Sequence, residues 1–144
     1  MEKVVRKYVL EYGLYIVWLQ ALVAMAGSLF FSEVEKFTPC VLCWYQRICM
    51  YPLIVIVGIG ITKKDKKVVD YALPLSLIGT VIAIYHNLLY NKILPEAIAP
   101  CTIGASCLTK YIDWFGFITI PFLSLVAFLI IDAVLILYKK YNHE

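Results

Sequence analysis

The stretch FTPCVLCWYQRICMYPLIVIVGIGI, Phe37 to Ile61, makes two demands that pull against each other. From Leu42 onward it is a mainly apolar run of about 20 residues, the length a helix needs to cross the hydrocarbon core of a bilayer. Yet its first turns hold a Cys-x-x-Cys pair, Cys40 and Cys43, and then an arginine, Arg47. Thiols are ordinarily tuned in water, and an uncompensated charge near the membrane centre costs about 3 kcal/mol. Both features at the lip of one apolar run point to a site that works where water meets lipid.

Three further runs of the same kind surround it. The four spans fall at about 8–31, 42–61, 69–90 and 115–138 of 144 residues. With 62% hydrophobic residues and a mean hydropathy of +0.83, the chain is too apolar to be a soluble domain of this size. Helices are required because hydrocarbon offers no partner for a free backbone group, and no period-2 barrel pattern is present. The expected fold is an all-α membrane protein, a four-transmembrane-helix bundle forming a single domain over 1–144. The basic N-terminus and Ala24-Met25-Ala26 invite a signal-peptide reading. The apolar run continues past them through Phe31, which favours a retained helix.

Charge sets the expected orientation. Lys3, Arg6, Lys7, Lys63, Lys64, Lys66, Lys67, Lys139 and Lys140 are nine of the 13 cations. They flank the termini and the hinge between the second and third spans, which places both termini and that hinge in the cytoplasm. A short loop at about 32–41 and a longer one at about 91–114 then face outward. The net charge of +3 reflects these anchors, and no basic strip interleaved with aromatics suggests a nucleic-acid partner.

Four of five cysteines fall on the outward side: Cys40, Cys43, Cys101 and Cys107. Disulfides persist outside the cytoplasm, so this placement favours redox chemistry or stapling there. For PCTIGASC, Pro100–Cys107, a structural disulfide and a redox pair are equally good readings. For Cys40 and Cys43 a staple is the weaker reading, since so small a loop restrains the unfolded chain little. With Thr38 as N-cap and Pro39 as first helical residue, Cys40 falls in the first turn, where the helix dipole favours thiolate. Cys40, Cys43 and Arg47 share a face at i, i+3 and i+7, and Arg47 can steady the Cys43 thiolate; the alternative is a snorkelling arginine. Dithiol oxidation releases two electrons, and no haem, flavin or nucleotide motif is visible to take them. A membrane-dissolved quinone is the natural acceptor. His86, in IAIYHNLLY near the outer end of the third span, can bond a quinone carbonyl or move protons, or simply pack.

The combination PCVLCWYQRICMYPL, YHNLL, the paired loop cysteines and WFGFITIPFLSL resembles the DsbB/BdbC family of membrane disulfide-generating proteins over nearly the whole chain, most of all its shorter branch. The resemblance implies a relay in the bacterial plasma membrane, with the redox cysteines on the extracytoplasmic side. A thioredoxin-fold thiol oxidase (DsbA/BdbD-like) would attack a Cys101–Cys107 disulfide, with Cys101 forming the mixed disulfide. Cys107 would pass electrons to Cys40 and Cys43. Cys43 would meet the quinone, menaquinone or ubiquinone, in a site lined by Arg47 and His86; no metal is implied. The chain departs from better-known members in having only TIGAS between the loop cysteines, so transfer would require the segment NKILPEAIAPCTIGASC to swing.

Other residues read as structure. Pro52, Pro74 and Pro121 suggest kinks or first turns, and Gly58, Gly60 and Gly79 close helix approaches. Gln20 and Gln46 suit hydrogen bonds inside the bundle, with Gln46 able to face the redox site. Trp18, Trp44 and Trp114 suit the interface, Trp44 also lying beside Cys43. Asp132 is expected to pair with a lysine or water, and Cys49 to behave as a small hydrophobe. Three rival functions use the same residues: a vitamin K epoxide reductase-like enzyme, whose cysteine order is reversed; a tetrathiolate zinc site; and a protein with two inert disulfides.

Overall fold

A computed structural model describes residues 1–98, 106–108, 110 and 115–143. Four long helices account for most of them: α1 (Glu2–Leu29), α2 (Val41–Lys63), α3 (Val68–Tyr90) and α4 (Ile120–His143). All four are long and apolar enough to cross a membrane. Each packs against two neighbours in cyclic order, α1 on α2, α2 on α3, α3 on α4 and α4 on α1. This is the up-down-up-down bundle that short connections favour.

The helix ends follow local chemistry. Nothing in EKVVRK opposes helix, so α1 starts at Glu2; it closes in a widened π-helical turn, Phe30–Val34. The α2 start corrects the expected cap. Helix begins at Val41, and the N-cap is Cys40, not Thr38, with its backbone extended (φ −76°, ψ 172°). In the α2–α3 hinge, Lys64 turns through positive φ and Asp65 Oδ1 accepts from Lys67 N–H at 2.9 Å. α4 starts five residues later than the apolar pattern suggests, because Phe115 and Gly116 both take positive φ. Thr119 then caps it, accepting from Phe122 N–H at 3.3 Å, and Pro121 sits in the first turn, where its missing N–H costs nothing.

Small residues let the helices close. A Cβ on Gly79 would lie 2.2 Å from the Phe128 ring, and one on Gly60 2.6 Å from Val68. Gly58 makes room for Trp18, whose indole N–H donates to the Ile54 carbonyl at 3.1 Å. Trp18 is therefore an internal α1–α2 clasp and not the interfacial anchor its residue type suggested. Asp132 also differs from expectation: it is buried and accepts hydrogen bonds from Ser76 and Thr80 of α3, with no lysine involved. The cation near that end, Lys139, pairs instead with Asp70 at 2.9 Å. Outward faces stay apolar, with Ile48, Val55, Ile78, Val81 and Leu129 all exposed. In water such a surface would aggregate; in lipid it is ordinary.

These contacts predict opposite outcomes at two glycines. Gly79→Ala forces Phe128 to move and should lower stability by about 1–3 kcal/mol. A Cβ on Gly27 meets nothing within 4 Å, so Gly27→Ala should stabilise α1, by up to about 1 kcal/mol. Thermal unfolding in detergent checks both.

Candidate functional site

The site grows from the α2 N-terminus. An N-cap side chain accepts from an amide two or three residues on; here the acceptor is sulfur. Cys40 Sγ takes the Cys43 backbone N–H at 3.4 Å, and the Cys43 sulfur lies 3.1 Å away. On the other side, from α3, His86 Nε2 stands 3.7 Å from the same sulfur. Gln46, one turn into α2, places its amide nitrogen 3.2 Å from His86 Nδ1. With that amide donating, the imidazole carries its proton on Nε2 and presents it to Cys40.

Negative charge therefore settles on Cys40. The hydrogen bond from the Cys43 side chain, helped by His86 and the Cys43 amide, holds the Cys40 thiol far below its ordinary range, at about 4, although burial opposes this. The helix dipole acts in the same direction. Cys43 is the more exposed of the pair, and both are free thiols in this structure. Cys49 is also free, but it is buried in the main core with Met50 and Leu53, away from this chemistry.

Arg47 is held from α1. Its Nε donates to Ser28 Oγ at 2.8 Å and an Nη to the Ser28 carbonyl at 2.9 Å, while the guanidinium carbon lies 5.2 Å from the Trp44 ring centre. No carboxylate pairs with it among the described residues. These contacts fix the cation beside the dithiol while leaving guanidinium donors for another acceptor.

Cys40, Cys43, Arg47 and His86 all line one cavity of about 370 Å³ whose walls come from all four helices. Cys107 lines it too and packs with Cys40, Leu42 and Leu89 in a small cluster separate from the main core. Cys107 is engaged in a disulfide; Cys101, the partner implied by the resemblance, lies outside the described residues, as does Trp114. The rest of the lining is largely apolar, with Val23, Phe31, Leu123 and Phe128 among it. A flat apolar ring with hydrogen-bonding carbonyls suits such a space: the apolar walls would accept the ring, and the remaining Arg47 donors would orient it. The donor atoms of Cys40, Cys43 and His86 also lie within 4.8 Å of one another, close enough for three ligands to a soft metal. A tetrathiolate set is not assembled, since Cys107 is already in a disulfide.

Of the residues the sequence singled out, Cys40, Cys43, Cys107, Arg47 and His86 share this cavity, while Ser28 and Tyr51, also in its wall, were missed. The signal for Ser28 was present: Gln20, Ala24, Gly27 and Ser28 form a small and polar stripe at helical spacing in an otherwise apolar α1.

A membrane four-helix bundle with a polarised dithiol opening onto an internal cavity, and a disulfide in the cavity wall, defines a class of multi-pass thiol–disulfide proteins. Within that class, the disulfide bond formation protein DsbB family matches residues 12–138, and this chain belongs to it. Disulfide bond formation protein C of Bacillus subtilis (strain 168) is 52% identical over 91% of this chain and 95% of its own length. A probable disulfide formation protein C of Halalkalibacterium halodurans is 50% identical over 79% of this chain and 83% of its own. A probable disulfide formation protein of Oceanobacillus iheyensis is 46% identical, covering 91% and 90%. No solved structure gives a significant match.

The site predicts an unusual pH profile. At pH 6 an ordinary thiol of pKa about 8.5 is less than about 1% thiolate, whereas Cys40 is ionised there. Cys40 should thus be alkylated by a small permeant reagent at nearly the same rate at pH 8 and pH 6. His86→Phe should move the loss of labelling to higher pH. Mass spectrometry of the reduced protein, with Cys43 and Cys49 as internal references, gives the readout.

Proposed function

We propose that this protein is a quinone-coupled thiol oxidoreductase that reoxidises an extracytoplasmic thioredoxin-fold dithiol oxidase. One observation carries the reading: the Cys40/Cys43 pair opens onto an apolar intramembrane cavity lined by a fixed Arg47, with disulfide-bonded Cys107 in the same wall. Family membership supports the thiol–disulfide chemistry, and the positive-inside charge pattern supports cysteines on the outer side.

The sequence of steps follows from sulfur chemistry. A partner thiolate attacks the Cys101–Cys107 disulfide at Cys101, forming a mixed disulfide and releasing Cys107 as thiolate. The second partner thiol resolves the mixed disulfide, and the partner leaves oxidised. Cys107, packed beside Cys40, attacks the Cys40–Cys43 disulfide at Cys40 and releases Cys43. Cys101 then closes the loop disulfide again, leaving Cys40 and Cys43 as the dithiol seen here. Rates depend on thiolate fraction and on the leaving thiol, so the α2 terminus that steadies negative sulfur serves this exchange directly.

A bound quinone supplies a sink for two electrons and two protons. Towards it, Cys43 presents the reacting sulfur, Arg47 holds positive charge and donors, and His86 moves the proton associated with Cys40. Overall, one partner dithiol becomes a disulfide as one quinone becomes quinol, and no sulfur of this chain is consumed. Menaquinone and ubiquinone headgroups both meet these requirements.

In liposomes, reduced partner oxidase and a short-chain quinone should show quinone reduction that Cys43→Ser abolishes. Arg47→Ala should raise the quinone KM about tenfold or more, the scale of one lost charge-assisted hydrogen bond, with the partner KM unchanged. Undiminished turnover in Cys43→Ser would refute the relay. An impermeant maleimide added outside right-side-out vesicles should label Cys107 after reduction; labelling only from the inside would reverse the orientation.

A further inference from the structure

Among the polar groups lining the cavity, the relay makes no use of Tyr51. Tyr51 lies on α2 two turns beyond Cys43, so Cys43, Arg47 and Tyr51 stand at i, i+4 and i+8 along one face, and all three line the cavity. The Tyr51 hydroxyl is shut off from solvent and has no hydrogen-bond partner among the described residues. A buried hydroxyl left unbonded is costly, and such a group in a site calls for an acceptor that the described residues do not provide.

Geometry says where that acceptor lies. The eight residues from Cys43 to Tyr51 rise about 12 Å along the axis. Long side chains on a helix lean back toward its N-terminus, so a tyrosine hydroxyl reaches toward the level of the residue one turn earlier, here Arg47. Two sets of groups thus address the cavity at different depths, Cys43 and His86 at the α2 terminus and the Tyr51 hydroxyl about one turn further in, near the level of Arg47. A para-quinone carries two carbonyls on opposite edges of one ring and matches that spacing, whereas a thiol substrate or a single anion would engage only the upper group.

We propose that Tyr51 is a quinone-binding residue, donating to the ring carbonyl that points away from Cys43. The ring then stands lengthwise in the cavity, with its near carbonyl at the dithiol and its far carbonyl on Tyr51. The inference rests on the quinone-coupled reading above and adds the polarity and anchor of the site. Tyr51 also shapes discrimination, because a ring lacking the second carbonyl leaves its hydroxyl as idle as before.

The test compares wild type with Tyr51→Phe, which keeps the ring and removes only the oxygen. Binding of short-chain naphthoquinone and benzoquinone is followed by tryptophan fluorescence quenching, and the bound carbonyl stretches by infrared difference spectroscopy. Tyr51→Phe should bind about tenfold more weakly and move one of the two carbonyl bands to higher frequency. Thermal stability without quinone should not fall, since the lost hydroxyl had no partner. Exchange between reduced partner and the loop disulfide should be unaffected. Equal affinity and unshifted bands in the variant would overturn the Tyr51 assignment while leaving quinone coupling intact. Failure of the wild type itself to bind quinone would overturn both.

Discussion

The whole site depends on one sulfur replacing an oxygen at a helix cap. An α-helix leaves its first amides without partners, and a serine, threonine or aspartate usually answers them. Here Cys40 does so, which makes the strained demand of a helix end and the demand of a redox thiol the same demand. The capping amide is one of several groups that favour thiolate there, and the largest is the Cys43 side-chain hydrogen bond. Cys43 and His86 then add hydrogen bonds to that sulfur from two different helices. Any change in the α2–α3 packing is therefore felt at the sulfur.

That packing is set by the membrane. Lipid is as apolar as a leucine side chain, so helices gain little by burying apolar faces against one another and rely on close approach and internal hydrogen bonds. The bundle shows both means. Gly79 admits Phe128, Gly60 admits Val68, and Trp18 reaches across Gly58 to a backbone carbonyl. Asp132 ties α4 to α3 through Ser76 and Thr80. Along the spans, polar contacts such as Asp132 with Ser76 and Thr80 lie inside, while large apolar residues such as Ile48 and Val81 are exposed. Beside the Cys40/Cys43 pair the interior also opens into a sizeable cavity.

Much of this was legible in the sequence, for identifiable reasons. Four apolar runs of membrane length leave few folds open, and the Cys-x-x-Cys with Arg47 and His86 marked one end of the bundle. What failed was local. Thr38 followed by Pro39 is a sound start signal, but the phenylalanine and proline around it belong to the loop that carries the cavity wall, and the helix waited for Cys40. Trp18 looked interfacial because tryptophan prefers interfaces; only the facing Gly58 on another helix shows the slot it fills. The hydroxyl partners of Asp132 were not foreseen because Ser76 and Thr80 lie more than 50 residues away in the chain. Spacing along one helix is visible in a sequence, and register between helices is not. Gln46 falls between these cases: its position on the Cys43 face was readable, its bond to His86 was not.

Arg47 shows how a membrane protein keeps a charge where it is useful. A lysine there would be a compact, strongly hydrated ammonium, expensive to bring out of water and held by one point. Arginine spreads its charge over a plane, donates in fixed directions and stacks on an aromatic ring. Ser28 accepts two of those donors, through its hydroxyl and its carbonyl, and Trp44 lies beside the charge. Neither partner is anionic, so the positive charge is positioned without being neutralised. A carboxylate in place of Ser28 would make a stronger pair and a poorer site, because the cation's field would be spent on a permanent neighbour. The neutral cradle leaves that field for whatever negative charge forms in the cavity during turnover. By this argument, a hydroxyl and a carbonyl on α1 shape the field around the α2 thiols without touching a sulfur.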